Sequence, residues 1–532
     1  MDASTRPETG GRRSVTRLAR QQVPPAVWPL ISMLGVALTI LPRLRWINIY
    51  EDQAVLSGQA MQVAAGQVPY RDFFAAIPPG AIFLYAGYYR LFGVSVVHQR
   101  LLTGLAMVLG AGLVAYLGRG LVGPVWAAAA ALLWGVWLPV FEEFSPYHFW
   151  SVTLVIAMTI ALLSARTAKH PRRRFVLAGL AGSAALIMLQ SSLPAVTAGL
   201  VVAWIIEPRI SRSVGPMLAA IASPGLAVLA VLALLGALPS FITDDVLYTF
   251  QTFGASQALP FPWQPALLHD TSFWEASIGA LWAIAMHWLL AVVAPVAVAV
   301  CVVSRLWRER HGAISDWALV GIVAVGLFAS VLIVHMSDQN FWLSCPLTLL
   351  LVAIPFRRML EFAAGPRALL LAPAAVIYVT GLSPLVLGYA LVCHSDGTGF
   401  LREVGTPTGS VCTTFDSAPI IAGAVRFDSG RSGAVAFMPT GPSLYQITGR
   451  VPPVPVLFLV PGVTPPAELD STERAMVATP VEWVVYYEID FSKDLPAVRA
   501  LHDGSISPFD LFLQRAYERQ DQDGLVVYRF RR

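Results

Sequence analysis

Two patterns of apolar and polar positions divide this chain. Residues 26–391 consist of long apolar runs joined by short polar connectors, whereas after residue 391 the apolar runs shorten and are punctuated by proline and glycine. A helix needs about 20 mostly apolar residues to cross the hydrocarbon core of a bilayer. Eleven stretches meet or approach that length: 26–46, 98–118, 121–141, 149–166, 175–190, 193–206, 216–238, 278–303, 317–335, 341–356 and 368–391. A further run at 78–93 is amphipathic and interrupted by Pro78, Pro79 and Gly93, which predicts a short helix along the outer interface, with the prolines marking its start. In the tail, runs at 433–438, 454–460, 483–487 and 525–530 predict strands, and 508–519 predicts a helix. The expected fold is therefore an all-α polytopic membrane protein of about eleven transmembrane helices with a small extracytoplasmic α/β C-terminal domain. Its parts are a cytoplasmic arm at 1–25, a transmembrane domain at 26–391 whose first outer loop is 47–97, and the C-terminal domain at 392–532.

Composition agrees: 56% of residues are hydrophobic and only 13% charged, too few to clothe a soluble fold of this length. Charge then orients the segments. With the N-terminus in the cytoplasm, nineteen Lys or Arg fall on the inner side and five on the outer side before the tail, the asymmetry of the positive-inside rule. Counting 78–93 as a crossing would put the clusters at 166–174, 305–310 and 357–367 outside. The apolar stretch after the arginine-rich arm has no small-residue cleavage site and reads as a retained first helix, so the chain is expected to be a multi-pass protein of the inner or plasma membrane. The net charge of +4 is not pooled in one stripe, which excludes nucleic acid as a partner. Cys393 and Cys412 both follow the last apolar segment, where a disulfide is permitted.

Charges on the outer side are few, and they gather around the first loop. Glu51 and Asp52 follow the first apolar segment, and Arg43, Arg45, Arg71, Arg90 and Arg100 are the outer basic residues before the tail. A carboxylate pair among arginines suits an anionic ligand plus a proton acceptor. Arg43 and Arg45 read more simply as anchors whose long side chains reach the headgroups. Further outer polar residues are Glu142 and Glu143 with Tyr147 and His148 nearby, His335, and Asp244, Asp245, Trp263, His269 and Asp270 in the loop 239–277. There is no Walker A loop, dinucleotide fingerprint, CxxC pair or HExxH motif.

The residues from Asp52 to Arg100 carry a resemblance. Asp52, the run Gly66-Gln67-Val68-Pro69-Tyr70-Arg71-Asp72-Phe73, Pro78-Pro79, Leu91-Phe92-Gly93 and Arg100 follow one another in the order seen in first extracytoplasmic loops of the GT-C superfamily. The loop resembles most that of the protein O-mannosyltransferase and aminoarabinose-transferase-like group (glycosyltransferase family 39-like). One departure is Gln53, which stands where the family usually has a glutamate after the aspartate. The resemblance implies an enzyme that passes a sugar from a polyprenyl-phosphate donor to a protein, lipid or glycan acceptor on the extracytoplasmic side. It implies Asp52 as the base, with Glu51 in reserve, and Arg71, Asp72 and Arg100 among the residues that bind donor or acceptor. Glu142 and Glu143 would correspond to a second acidic motif that binds either the acceptor or a divalent metal, and His335 to a polar group near the donor phosphate. No other cofactor is implied. A transporter or flippase of lipid-linked glycans, a glycan ligase or polymerase, and a non-catalytic scaffold remain as alternatives with similar topology.

Overall fold

The structure, a computed structural model, describes residues 26–47, 52–141, 146–249, 293–310, 312–334, 344–362, 401–414, 416–459, 464–487, 507–522 and 524–531, with single positions at 24, 251 and 372. Side-chain placement is not described for Asp52, 137–141 and 332–334. The apolar run at 368–391 lies outside these residues, as do most of 278–303, Cys393 and the candidates Glu51, Glu142, Glu143 and His335.

The long apolar runs are helices. They comprise α1 (Val27–Ile40), α4 (Val96–Leu121), α5 (Pro124–Phe141), α6 (Pro146–Ala165), α7 (Pro171–Met188), α8 (Leu193–Ile206), α9 (Val214–Leu234), α10 (Ala294–Glu309), α11 (Asp316–Val334) and α12 over 346–362. Between α1 and α4 stand two helices of the first loop, α2 (Asp52–Ala64) and α3 (Pro79–Phe92). Pro79, Pro171 and Pro194 occupy first-turn positions, where a missing N–H breaks no hydrogen bond and the fixed φ is already helical. Helix α4 is capped by Ser95, whose Oγ accepts from the Val97 N–H at 3.2 Å. Three helices among the described residues (α4, α6 and α9) are long and apolar enough to cross a bilayer.

Small residues let these helices approach closely. A Cβ on Gly179 of α7 would collide with the Met217 carbonyl of α9, and one on Gly326 of α11 would come within 2.8 Å of the Pro194 carbonyl of α8. The helices enclose a common apolar core running from Val36 through Trp134 and Phe149 to Leu351. Their outward faces are apolar too: Leu30, Leu34 and Leu38, one turn apart on α1, are exposed, and so are Leu226, Val231 and Leu234 on α9. An apolar stripe left outside a filled core needs an apolar solvent, so the chain is an integral membrane protein.

The C-terminal part is α/β, as expected. A two-stranded antiparallel sheet, β1 (Leu401–Val404) with β2 (Val411–Thr414), is followed by α13 (Ser417–Ser429), β3 (Val435–Pro439), α14 (Pro442–Thr448), α15 (Pro466–Ala478), β4 (Trp483–Tyr487), α16 (Pro508–Ala516), β5 (Tyr517–Gln522) and β6 (Leu525–Phe530). The second sheet has the order β3-β4-β6-β5, with β3 and β4 parallel and the other pairs antiparallel. Two expectations differ in detail. The run 454–459 is not a strand: Pro452, Pro453 and Pro455 supply no backbone N–H, and the carbonyls of Val454 and Pro455 are taken by Gln62 and Phe74 of the first loop. The helix expected over 508–519 stops at Ala516, because the next six residues pair with β6 as an edge strand. Of the cysteines, Cys412 is disulfide-bonded, and Cys301 and Cys345 are thiols outside any disulfide.

This α/β part does not stand apart from the membrane helices. Its core takes in Ile47, Phe74 and Val96. The strand β2 also continues onto the exit of α1, where Ile47 N–H donates to the Cys412 carbonyl and Cys412 N–H to the Arg45 carbonyl, both at 2.7 Å. Arg45 forms a 2.7 Å ion pair with Glu403 and is half exposed, so it ties the loop to the tail rather than reaching for headgroups. Every residue of α14 is buried.

Candidate functional site

Helix α2 opens on Asp52, and its first turn is held from α4: Gln99 Nε2 donates to the Gln53 carbonyl at 2.7 Å. The next residue on α4, Arg100, is completely buried and lies over the Trp46 ring at 5.3 Å. Arg43, in the 3-10 turn after α1, is also buried, with the Arg100 charge acting on it. Its Nε and Nη1 have no hydrogen-bond partner among the described residues. Arg43 and Arg100 are thus two interior guanidinium groups that act on each other, and Arg100 follows the residue that holds the first turn of α2, the helix whose first residue is Asp52.

The Gly66–Phe73 motif builds a turn. Gly66, at φ +100°, ends the α2 segment in a conformation open to glycine, while the Gln67 N–H returns to the Gln62 carbonyl. Tyr70 adopts φ +66°, held by its hydroxyl donating to the Ile77 carbonyl at 2.6 Å and by edge packing on Phe241. Asp72 accepts from Val68 N–H at 2.8 Å and from Arg71 through Nε and Nη2 at 2.8 and 2.9 Å. This forked contact, with the Val68 N–H, holds the Asp72 carboxyl below its usual range. Arg71 also donates to the Leu235 carbonyl at the end of α9. Arg71 and Asp72 are thus engaged with each other, whereas Arg100 and Asp52 belong to the α1–α2–α4 junction.

A second polar cluster lies on the other side of the turn. After α9 a four-residue helical turn, Leu238–Phe241, runs into a π-helix, Ile242–Leu247, carrying Asp244 and Asp245. The Gln190 side-chain amide donates to Asp245 Oδ1 at 3.1 Å, Thr249 Oγ1 at 3.0 Å and the Ala76 carbonyl at 3.3 Å, joining the α7–α8 connector to the first loop. Burial, reinforced by Asp244, pushes the Asp245 carboxyl up to about 8, and burial pushes Asp244 up to about 6. Glu468 in the first turn of α15 is raised by burial and by Asp244. Because the folded-state value of Asp245 lies above the ordinary carboxylate value, the folded state holds a proton that the unfolded chain releases, and stability falls as pH rises from about 4 to 8. Asp245→Asn should therefore raise the melting temperature at pH 8 and leave it unchanged near pH 4, as read by thermal unfolding in detergent across that range. No group of three or more His, Cys, Asp or Glu among the described residues is arranged to hold a metal.

Helices filling an apolar core, two further helices in the first loop and an α/β layer packed against them give this membrane protein a fold that it shares with solved structures. Among solved structures, ArnT from Cupriavidus metallidurans bound to undecaprenyl phosphate shares that fold with TM-score 0.53 at 12% identity, over 94% of this chain and 97% of ArnT. The apo state of the same protein gives 0.52 at 14% identity, over 94% and 97%. No protein-family model matches the chain, and no curated protein sequence does.

The sequence read Arg43 first as an interfacial anchor and did not single out Gln99. Arg43 borders an apolar segment, as an interfacial anchor does, and the signal that could have separated the two readings is a second arginine, Arg100, at the matching outer edge of the next crossing.

Proposed function

We propose that this chain is a GT-C glycosyltransferase that moves a sugar from a polyprenyl-phosphate donor to an acceptor hydroxyl at the outer face of the membrane. The observation that carries this reading is a pair of buried arginines, Arg43 and Arg100, that act on each other, with Gln99, the neighbour of Arg100, bonded to the first turn of the helix that begins with Asp52. Asp52 takes the proton from the acceptor hydroxyl, and the acceptor oxygen bonds to the anomeric carbon as that carbon's bond to phosphate breaks. The polyprenyl phosphate leaves with the added negative charge, which Arg43 and Arg100 stabilise. The shared fold with ArnT, whose structure was solved with undecaprenyl phosphate, supports a polyprenyl-phosphate carrier. The acceptor is a protein, a lipid or a glycan.

In this reading the N-terminal arm is cytoplasmic, about eleven helices cross the membrane, and residues 392–532 lie outside. Glu51, Arg71, Asp72, Glu142, Glu143 and His335 remain candidates for donor or acceptor contact. No described acidic cluster suits a metal, and no step runs through one. The test is to reconstitute the purified protein in lipid nanodiscs with a panel of radiolabelled polyprenyl-phosphate sugars. Release of free polyprenyl phosphate with transfer of label is expected for one of them. Transbilayer movement of an intact lipid-linked sugar, without cleavage, would instead make the chain a flippase.

A further inference from the structure

Gln446 lies in α14, the helix of the C-terminal part whose seven residues are all buried, and its amide is the meeting point of two hydrogen-bonded arms that reach α2. On one arm Gln446 Nε2 donates to Gln99 Oε1 at 2.7 Å, and Gln99 Nε2 donates to the Gln53 carbonyl at 2.7 Å, one residue after Asp52. On the other arm Gln446 Nε2 lies 3.4 Å from the Tyr89 hydroxyl, which shares a 2.8 Å hydrogen bond with Ser57 Oγ, one turn further along α2. The same Nε2 is 3.3 Å from the Ser95 carbonyl, at the cap of α4. Gln53, Ser57, Tyr89, Gln99 and Gln446 are all buried.

The direction of the first arm is forced. A backbone carbonyl can only accept, so Gln99 must turn its NH₂ to Gln53 and its oxygen to Gln446, which in turn must present its own NH₂. A buried amide with one permitted orientation fixes the elements it joins, since any shift leaves an unpaired polar group away from water. The bond to Gln53 uses the second lone pair of a carbonyl in the first turn of α2, the turn that Asp52 begins. Arg100 follows Gln99 on α4. One amide from the C-terminal part therefore bears on both the helix that carries the carboxylate and the helix that carries a buried guanidinium.

We infer that Gln446 is a positioning residue: acting through Gln99 and Tyr89, it sets α2, and with it Asp52, against Arg100 for transfer. The C-terminal part is then a working component of the transfer site and not only a cover over it. This rests on the reading of Asp52 as the base.

The test uses full-length protein in nanodiscs and compares wild type with Gln446→Leu, Gln99→Leu, the double variant and Asp52→Asn. Turnover and the Kd for undecaprenyl phosphate are read separately, and thermal melting reports folding. Gln446→Leu should lower kcat at least tenfold, with Kd within twofold of wild type and a cooperative melt retained. The double variant should be no slower than the slower single variant, because both substitutions cut one chain of bonds. Restoring an amide one methylene shorter, Gln446→Asn, should recover part of the rate. A wild-type kcat for Gln446→Leu would overturn the inference, as would a parallel fall in kcat, affinity and melting temperature that Gln446→Asn does not relieve. Full activity in Asp52→Asn would remove the base itself, whereas an inactive Asp52→Asn beside a fully active Gln446→Leu would remove only the role of Gln446.

Discussion

Asp52→Asn should lower transfer by about 10²–10⁴-fold, the usual contribution of a positioned general base, while leaving the affinity for the polyprenyl-phosphate carrier within a factor of two or three. The amide keeps the size of the carboxylate and its place as the first residue of α2 but cannot accept a proton from the acceptor hydroxyl. Neutralising the residue removes a negative charge that would repel an anionic lipid, so ground-state binding should not weaken. Single-turnover rates measured beside equilibrium binding separate the two quantities. Glu51→Gln serves as the comparison; a larger loss there than at Asp52 would move the base by one residue.

The second large effect is expected at Arg43, and it has two signs. The side chain is 3% exposed, and its Nε and Nη1 lack partners among the described residues. A charge-assisted hydrogen bond to a phosphate contributes about 1.5–3 kcal/mol, so Arg43→Met should weaken binding of undecaprenyl phosphate by about 10–150-fold. Met fills similar space without a charge that must be buried next to Arg100, so the ligand-free protein should melt at a higher temperature than wild type. Binding by scintillation proximity and unfolding without ligand check both signs. A variant that loses stability and keeps affinity would make Arg43 a structural residue only.

Much of the helical frame could be read directly from the chain, because a bilayer-crossing segment is a local property. The run at 98–118 became α4 (Val96–Leu121), and the break between the runs 175–190 and 193–206 is the break between α7 and α8. The Pro78-Pro79 helix start also matches, with Pro78 as the cap of α3. The tail was harder to read. In 454–459 the apolar alternation resembles a strand, yet three prolines and two first-loop donors claim its backbone. In 517–519 the sequence Tyr-Glu-Arg reads as more helix, because an edge strand facing solvent needs little apolar patterning and takes its conformation from β6. The site divides in the same way. Asp52 and Arg100 were marked by their order in the loop, but Gln446 lies in an unremarkable stretch more than three hundred residues away, and no local pattern announces a glutamine whose partners are Gln99 and Tyr89. The burial of Arg43 and the pairing of Arg71 with Asp72 are likewise products of tertiary packing.

The bonds between the exit of α1 and the strand carrying Cys412 have a consequence for biogenesis. Gln99 meets Gln446 across 347 residues of sequence, and Gln62 meets Val454 across 392. During synthesis the first membrane segments emerge long before their partners exist, so the early loop must wait, incompletely structured, until the last part of the polypeptide has been made. A ribosome stalled before residue 412 would leave an inserted but unfinished protein, and quality-control proteases should clear such truncated products faster than the full-length chain.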